Sequence, residues 1–391
     1  MNDFLRDEAS QDEDGEAFTT KIMGISFVGS MTMLSTDETR IYDRQIRLWG
    51  MQAQNRLRNS SVLIIGLTGL GAEIAKNLML AGLKSLTLMD DKEVTDEDYT
   101  SNFLLVHGTK MNRAEASYEN LKLLNPMVDL TVQTELPDNT SPDFYSKFDL
   151  VIVVDQDYET TNLINKKCRQ NRIRFEAGSV FGWVGYAFFD FNNHTFLISK
   201  PKEKEAIVES VLDEDCEDGL SDGTTAKKMK MNGAGSGTSV DNTQTMTLTI
   251  GDEEDSKIKK NVSFPSFEQT FAVELGTKRF IRRKFNFPST YFVVRAFFDL
   301  MRGKAVGITH ERVVDQWQRE LSNIGSDESK QKISAEDFSL FVGPALNPVC
   351  AIVGSIIAQE AIKSLSQNDE PLKSTFFYSA LESCGTVVDM A

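Results

Sequence analysis

The sequence predicts an α/β fold with a mostly parallel central sheet, interrupted by a partly helical, partly disordered insertion. Three observations carry this. Residues 61–91, SVLIIGLTGLGAEIAKNLMLAGLKSLTLMDD, run from an apolar strand through a glycine turn and a helix to a second strand ending in acid. Residues 148–157, FDLVIVVDQD, repeat the pattern of a strand apolar on both faces that ends in acid. Between the patterned regions, residues 209–260 pass from an acidic run into KKMKMNGAGSGTSVDNTQ, a composition that cannot bury a core.

Each element follows from its residues. Val62 to Gly66 is short and β-branched, as a strand buried on both faces requires. From Ala72 the period turns helical, with Ile74, Leu78 and Ala81 on one face and Gly82 as the stop. Leu86 to Asp90 is the second strand. Together they make a right-handed crossover, the Rossmann-like half-site in which a helix N-terminus meets phosphate. Gly66, Gly69 and Gly71 form its turn, and Asp90, with Asp91 second, stands at the ribose position. A dinucleotide fingerprint wants Gly-x-Gly-x-x-Gly, however, and Thr68 holds the middle place. The turn also reads, as the lesser alternative, as a device for close strand–helix packing.

Downstream, residues 160–171 are helix-like, and residues 172–191 read as strands with turns at Gly178, Gly182 and Gly185. Residues 290–301 form an apolar helix, and residues 347–366 a helix with Pro348 in its first turn and many small residues. STFFYSA at 374–380 follows as an edge strand. The small-residue helix and the aromatic set Phe181, Trp183, Tyr186 and Phe188 suit either an interface or ordinary core. The organisation is thus an acidic disordered tail (1–36), a first part of the Rossmann-like domain (37–200), an insertion (201–337) and a part completing the fold (338–391). Within the insertion, 209–260 reads as largely flexible and 261–337 as mainly helical.

Composition narrows the function. The chain has 391 residues, 40% of them hydrophobic, enough for a substantial core. A formal charge of -16 opposes sequence-independent nucleic-acid binding, which needs a basic face, and favours protein partners. No apolar run is expected to reach the roughly 18 to 20 residues of a membrane span, and the N-terminus is acidic, so no membrane partner and a soluble, unsecreted protein are expected. The four cysteines, Cys168, Cys216, Cys350 and Cys384, are scattered and accompanied by three histidines, so neither a disulfide framework nor a metal site is expected.

IYDRQIRLWG at 41–50, the crossover at 62–90, TSNFLL at 100–105, NRAEAS at 112–117, LNPMV at 124–128 and NPVCAIVGSIIAQEAIKSLS at 347–366 resemble, in order and spacing, the adenylation fold of ubiquitin-like modifier activating enzymes, of the ThiF/MoeB type. Within that family the chain is most similar to the smaller half of the SUMO-activating pair, over more than half its length. There, two homologous folds pair and one holds ATP productively. Against the active half, Thr68 replaces a glycine, and Ser101 and Asn102 replace Arg-Gln before a retained Phe103. Arg113 stands where the active half has a phosphate-contacting lysine, and Asp155 matches its magnesium-holding acid, while Thr161 falls near an expected arginine. The resemblance therefore implies a degenerate site at Gly66, Gly69, Gly71, Asp90, Arg113 and Asp155. No cofactor is expected to be held independently; MgATP is used by the pair and bound mainly by the partner.

The same resemblance implies an obligate heterodimer with a larger catalytic subunit, SUMO reached through the complex, and a location in the nucleus with some in the cytoplasm. The arginine of its Tyr-Asp-Arg-Gln motif, here Arg44, reaches toward the partner's ATP phosphates. Arg44 also reads as the polar face of a short helix with Tyr42, Ile46 and Trp49 buried. No cysteine is placed as the thioester nucleophile: Cys216 lies among carboxylates that raise a thiol's pKa, Cys168 and Cys350 read as core, and Cys384 lacks a local base. The basic clusters at 227–230 and 278–284 read as import signals or exposed loops. The other readings are the accessory half for another modifier such as NEDD8, an NAD-dependent oxidoreductase, or a nucleotide-sensing scaffold.

Overall fold

The computed structural model describes residues 35–135, 142–199, 257–272, 287–302 and 308–389. The acidic tail (through residue 34), residues 209–256 of the acidic and glycine-rich stretch with Cys216, and both basic clusters lie outside the described residues. The chain divides into two units, one ending at Ile41 and the other starting at Tyr42. The described part of the first is a short helix, α1 (Thr36–Ile41), opened by Ser35, whose N–H donates to the Glu38 carboxylate at 2.8 Å.

The second unit is built on one eight-stranded sheet. Its parallel half consists of β1 (Ser61–Ile65), β2 (Ser85–Met89), β3 (Asp129–Gln133), β4 (Leu150–Val154) and β5 (Arg174–Phe181), ordered β3-β2-β1-β4-β5. Beyond β5 the sheet turns antiparallel through β6 (Val184–Asp190), β9 (Thr375–Ser379) and β10 (Cys384–Val388). β4, LVIVV, is buried along its whole length because helices cover both faces. On one face α4 (Gly69–Ala81) and α12 (Asn347–Ser366) enclose Ile64, Ile152, Leu70, Ile74, Val353 and Ile357. On the other, α7 (Tyr158–Gln170), α8 (Phe267–Phe271), α9 (Ser289–Arg302), α10 (His310–Asn323) and α11 (Phe338–Phe341) gather around Leu63, Val153 and a cluster of aromatic rings. The insertion thus supplies α8, α9 and α10 of this second helical layer.

Several expectations change. Thr375–Ser379 is not the edge strand; Cys384–Val388 lies outside it, and its weakly apolar sequence gave little signal. Gly178 and Gly185 lie within β5 and β6, and of the three glycines named there Gly182 alone turns the chain. At Gly178 a Cβ would come within 2.5 Å of Ile357 Cδ1, so that glycine makes room for α12. The aromatic set belongs to the core: Tyr186 and Phe188 are fully buried, and Phe181 stacks on Phe297 with ring centroids 4.3 Å apart. Residues 257–260, expected to be flexible, open β8 (Lys257–Ser263), which pairs antiparallel with β7 (Asn193–Ser199) in a separate two-stranded sheet. Helix α12, at 20 residues, is long and apolar enough to cross a membrane by composition, contrary to the expectation from apolar runs. Most of it is buried as the core helix against α4, where a Cβ on Gly354 would lie 2.9 Å from that of Glu73.

The remaining helices fix the start of this unit. α2 (Asp43–Trp49) ends at Gly50, and α3 (Met51–Arg58), absent from the sequence reading, follows at once. Tyr42 is buried against Gly82, where a Cβ would meet its ring at 2.5 Å. Its hydroxyl accepts from Asn125 at 2.8 Å. Ile46 and Trp49 are half-buried rather than buried. α5 (Arg113–Lys122) connects β2 to β3, and α6 (Pro142–Tyr145) precedes β4.

Candidate functional site

The glycine turn lies at the C-terminal ends of β1 and β4, the switch point where open α/β sheets bind ligands. Gly66 has φ +101°, open only to glycine without strain, and its N–H donates to Met89 O at 2.8 Å. A Cβ there would fall 2.2 Å from Val154 O, and one on Gly71 would fall 2.1 Å from Gly66 O. Both glycines are therefore required by backbone packing alone. Gly69 is different: its missing Cβ is replaced by Ser101, whose Oγ and Cβ lie 2.3 and 2.5 Å from that point. A side chain of the crossover loop thus sits on the turn.

Thr68 stands at the N-cap of α4 but does not cap it. Its hydroxyl donates instead to the Asp155 carboxylate at 2.5 Å. Asp155 ends β4 with φ +50°, and its second oxygen accepts from Val180 N–H at 3.1 Å. Burial raises its pKa, opposed by the bonds from Thr68 and Val180 and by the charges of Arg113 and Lys92.

The other expected ligands are also engaged. Asp90, 3% exposed, accepts the N–H of Leu67 at 2.7 Å and of Lys92 at 2.9 Å; Asp91 is exposed. Arg113 Nε donates to Asp98 at 2.9 Å, and Asp98 is fixed by Thr95 through its N–H and hydroxyl, both at 2.8 Å. Asn102 clamps the loop by donating to Leu67 O at 2.8 Å and accepting from Leu104 N–H at 3.0 Å. The structure brings Thr68, Ser101, Arg113 and Asp155 to one cleft of about 280 Å³ with Lys92 and Asp98. That lies at the lower end for a small-molecule pocket, and of its charged groups Asp98, Arg113 and Asp155 are already engaged. Asp98 and Lys92 were missed by the sequence reading, although Thr95-x-x-Asp98 carries a local turn pattern that marks Asp98.

Arg44 lies on α2 and does not line that cleft. It is exposed and, among the described residues, makes no hydrogen bond or ion pair. One turn later Arg47 pairs with Asp43 at 3.0 Å, while Gln45 ties α2 to Leu80 O at 3.0 Å. Cys168 and Cys350 are buried core residues, and burial pushes the Cys350 thiol up to about 12, with the nearby Asp155 and Glu73 charges adding to it. Cys384 is exposed on β10.

A mostly parallel sheet with a glycine turn at its switch point and antiparallel strands added at one side defines a Rossmann-like α/β protein. The chain belongs to the ThiF family, whose profile spans residues 42–388. It is 37% identical over 364 residues to the SUMO-activating enzyme subunit aos-1 of Caenorhabditis elegans, covering 90% of this chain and 97% of that one. SUMO-activating enzyme subunit 1 of Rattus norvegicus is 34% identical over 366 residues, covering 92% and 96%. The Homo sapiens protein of that name is 34% identical over 359 residues, covering 90% and 95%.

Proposed function

We propose that this chain is the smaller, noncatalytic half of a heterodimeric SUMO-activating enzyme. The larger partner binds MgATP and the modifier, joins the modifier's C-terminal glycine to AMP with release of pyrophosphate, and then takes the acyl group onto a cysteine thiol with release of AMP. This chain completes the partner's adenylation site. The relatives' names, their near full-length match and the ThiF family support the enzyme assignment.

One observation carries the division of labour. The groups of this chain that would serve a nucleotide are spent on one another: Thr68 on Asp155, Asp90 on the loop amides, Arg113 on Asp98, Ser101 on the glycine turn. They do not fit a MgATP held by this chain alone. Arg44, by contrast, is exposed and uncommitted among the described residues. Its guanidinium is suited to neutralise charge gathering on a pyrophosphate leaving group bound in the partner. Of the described cysteines two are buried, and the cation near the exposed Cys384, Lys332, is itself paired with Glu382 at 3.0 Å, in keeping with a thiol supplied by the partner. Nuclear location, with some chain in the cytoplasm, belongs to the same reading.

Native affinity purification tests the assignment. A larger adenylation subunit bearing a reactive cysteine is expected at equal stoichiometry. A stable homodimer with no such partner would point to the simpler bacterial type of adenylating enzyme and overturn the reading.

A further inference from the structure

The two-stranded sheet lies apart from the glycine turn, and its two edges differ. On the β7 side, Leu197 N–H donates to Gln367 O at 3.0 Å and Leu197 O accepts from Asp369 N–H at 3.1 Å. That edge is closed by the residues after α12. In the β7–β8 register Leu197 faces Lys259. Because Leu197 turns its backbone groups away from β8, the Leu197–Lys259 pair is not hydrogen-bonded across the ladder, and Lys259 must turn its own groups outward. Phe264 N–H donates to Asn192 O at 2.9 Å at the end of the ladder, which gives the same alternation counted from the other side. The N–H and C=O of Lys259 and Asn261 therefore point to the free edge of β8, where they meet no partner among the described residues.

The side chains of this strand select what can pair there. Lys259, Lys260 and Asn261 are exposed, Ile258 is 38% exposed between lysines, and Lys257 reaches Asn368 Oδ1 at 3.3 Å. In a chain of net charge -16 this is a local basic strip. Lysines on an edge strand oppose pairing with a second copy, since like charges would be brought together. The same lysines favour an acidic strand.

We propose that the β8 edge is a docking site for an extended acidic segment of another protein, added as a third strand to the β7–β8 sheet. Its backbone pairs with Lys259 and Asn261. Its carboxylates meet Lys259 on one face, and its β-branched residues lie beside Ile258 and the Lys260 stem on the other.

The test uses the purified full chain and a fluorescein-labelled decapeptide alternating valine or isoleucine with aspartate or glutamate. Saturable binding by anisotropy is expected, with slowed hydrogen exchange at the Lys259 and Asn261 amides. Lys259→Glu combined with Lys260→Glu is expected to weaken binding at least tenfold. Asn261→Pro, which removes an outward N–H and the exposed Thr195 hydroxyl bond to its side chain but leaves the backbone ladder to β7 intact, is expected to do the same without altering the circular dichroism. A peptide with lysine in place of the acids should not bind. Absence of binding to the wild-type chain, or equal binding by both variants, overturns the proposal. Binding that appears only after Asp213, Glu214, Asp215, Glu217 and Asp218 are changed to amides also overturns it, because the edge would then be taken by this chain's own acidic segment.

Discussion

The hydroxyl of Thr68 donates to the carboxylate of Asp155 across 2.5 Å, joining the glycine turn after β1 to the end of β4. Two positions that would serve phosphate and magnesium in a nucleotide site are thereby turned into a strut. Thr68→Val removes the donor while keeping shape and leaves a buried oxygen unpaired, so a loss of about 1–3 kcal/mol is expected in urea unfolding. The loss should grow with pH. Burial already raises the Asp155 pKa, and losing the Thr68 bond raises it further. An acid with a raised folded pKa contributes stability that is present below its unfolded value, about 3.9, and is lost as pH rises toward the folded one. A deficit independent of pH from 4 to 8 would contradict this account.

Ser101 fills the space over Gly69, so adding a methyl group there forces the crossover loop to move. Gly69→Ala is expected to cost roughly 1–3 kcal/mol by overpacking. Combining it with Ser101→Gly should recover part of that loss, although the Ser101 backbone carbon, 2.9 Å from the added methyl, limits recovery. Additive losses in the double variant would show that the two positions do not share one space.

Glu176 on β5 is fully buried, and among the described residues both its carboxylate oxygens are unpaired. Burial, with the nearby Glu360 charge adding to it, holds its pKa well above the usual carboxylate range. Glu360 itself pairs with Lys363 at 2.7 Å and accepts Leu372 N–H at 2.6 Å. Glu176 thus favours folding below the unfolded glutamate value, about 4.3, and that contribution is lost as pH rises above it. Glu176→Gln should flatten the fall in Tm from pH 5 to pH 8 and raise Tm at the upper end. An unchanged slope would place the titration elsewhere.

Much of the sheet was legible in the sequence because buried parallel strands such as Val62 to Ile65 and Leu150 to Val154 are apolar on both faces, a pattern solvated segments do not imitate. β10 was not legible: CGTVV is short and largely exposed, so it carries no run to detect. The glycines at 178 and 185 were misread as turns because nothing local distinguishes a turn glycine from one cleared for Ile357 or Val353. Around the turn, the residue types at 68, 90, 101, 113 and 155 could be read from the chain. That each is bound to another, with Asp98 and Asn102 as brackets, depends on contacts between segments distant in sequence.

The thiol assignment has a direct check. Cys168 and Cys350 lie in the core, and Cys384 is exposed, with Lys332 nearby but paired with Glu382 at 3.0 Å. Changing Cys216 and Cys384 together to serine should leave formation of the modifier thioester by the reconstituted heterodimer unchanged within twofold on a non-reducing gel. Loss of the thioester would return the nucleophile to this chain.

The central claim, that this chain serves adenylation from outside its own glycine turn, rests most directly on Arg44. Modifier-dependent exchange of pyrophosphate into ATP, measured with the larger subunit and either wild-type chain or Arg44→Ala, isolates the adenylation step. The expected result is a heterodimer of normal stability with exchange slowed on the order of a hundredfold, while Arg47→Ala, a change in the neighbouring ion pair, leaves exchange near the wild-type rate. Unchanged exchange with Arg44→Ala would contradict the account and remove Arg44 from the reaction.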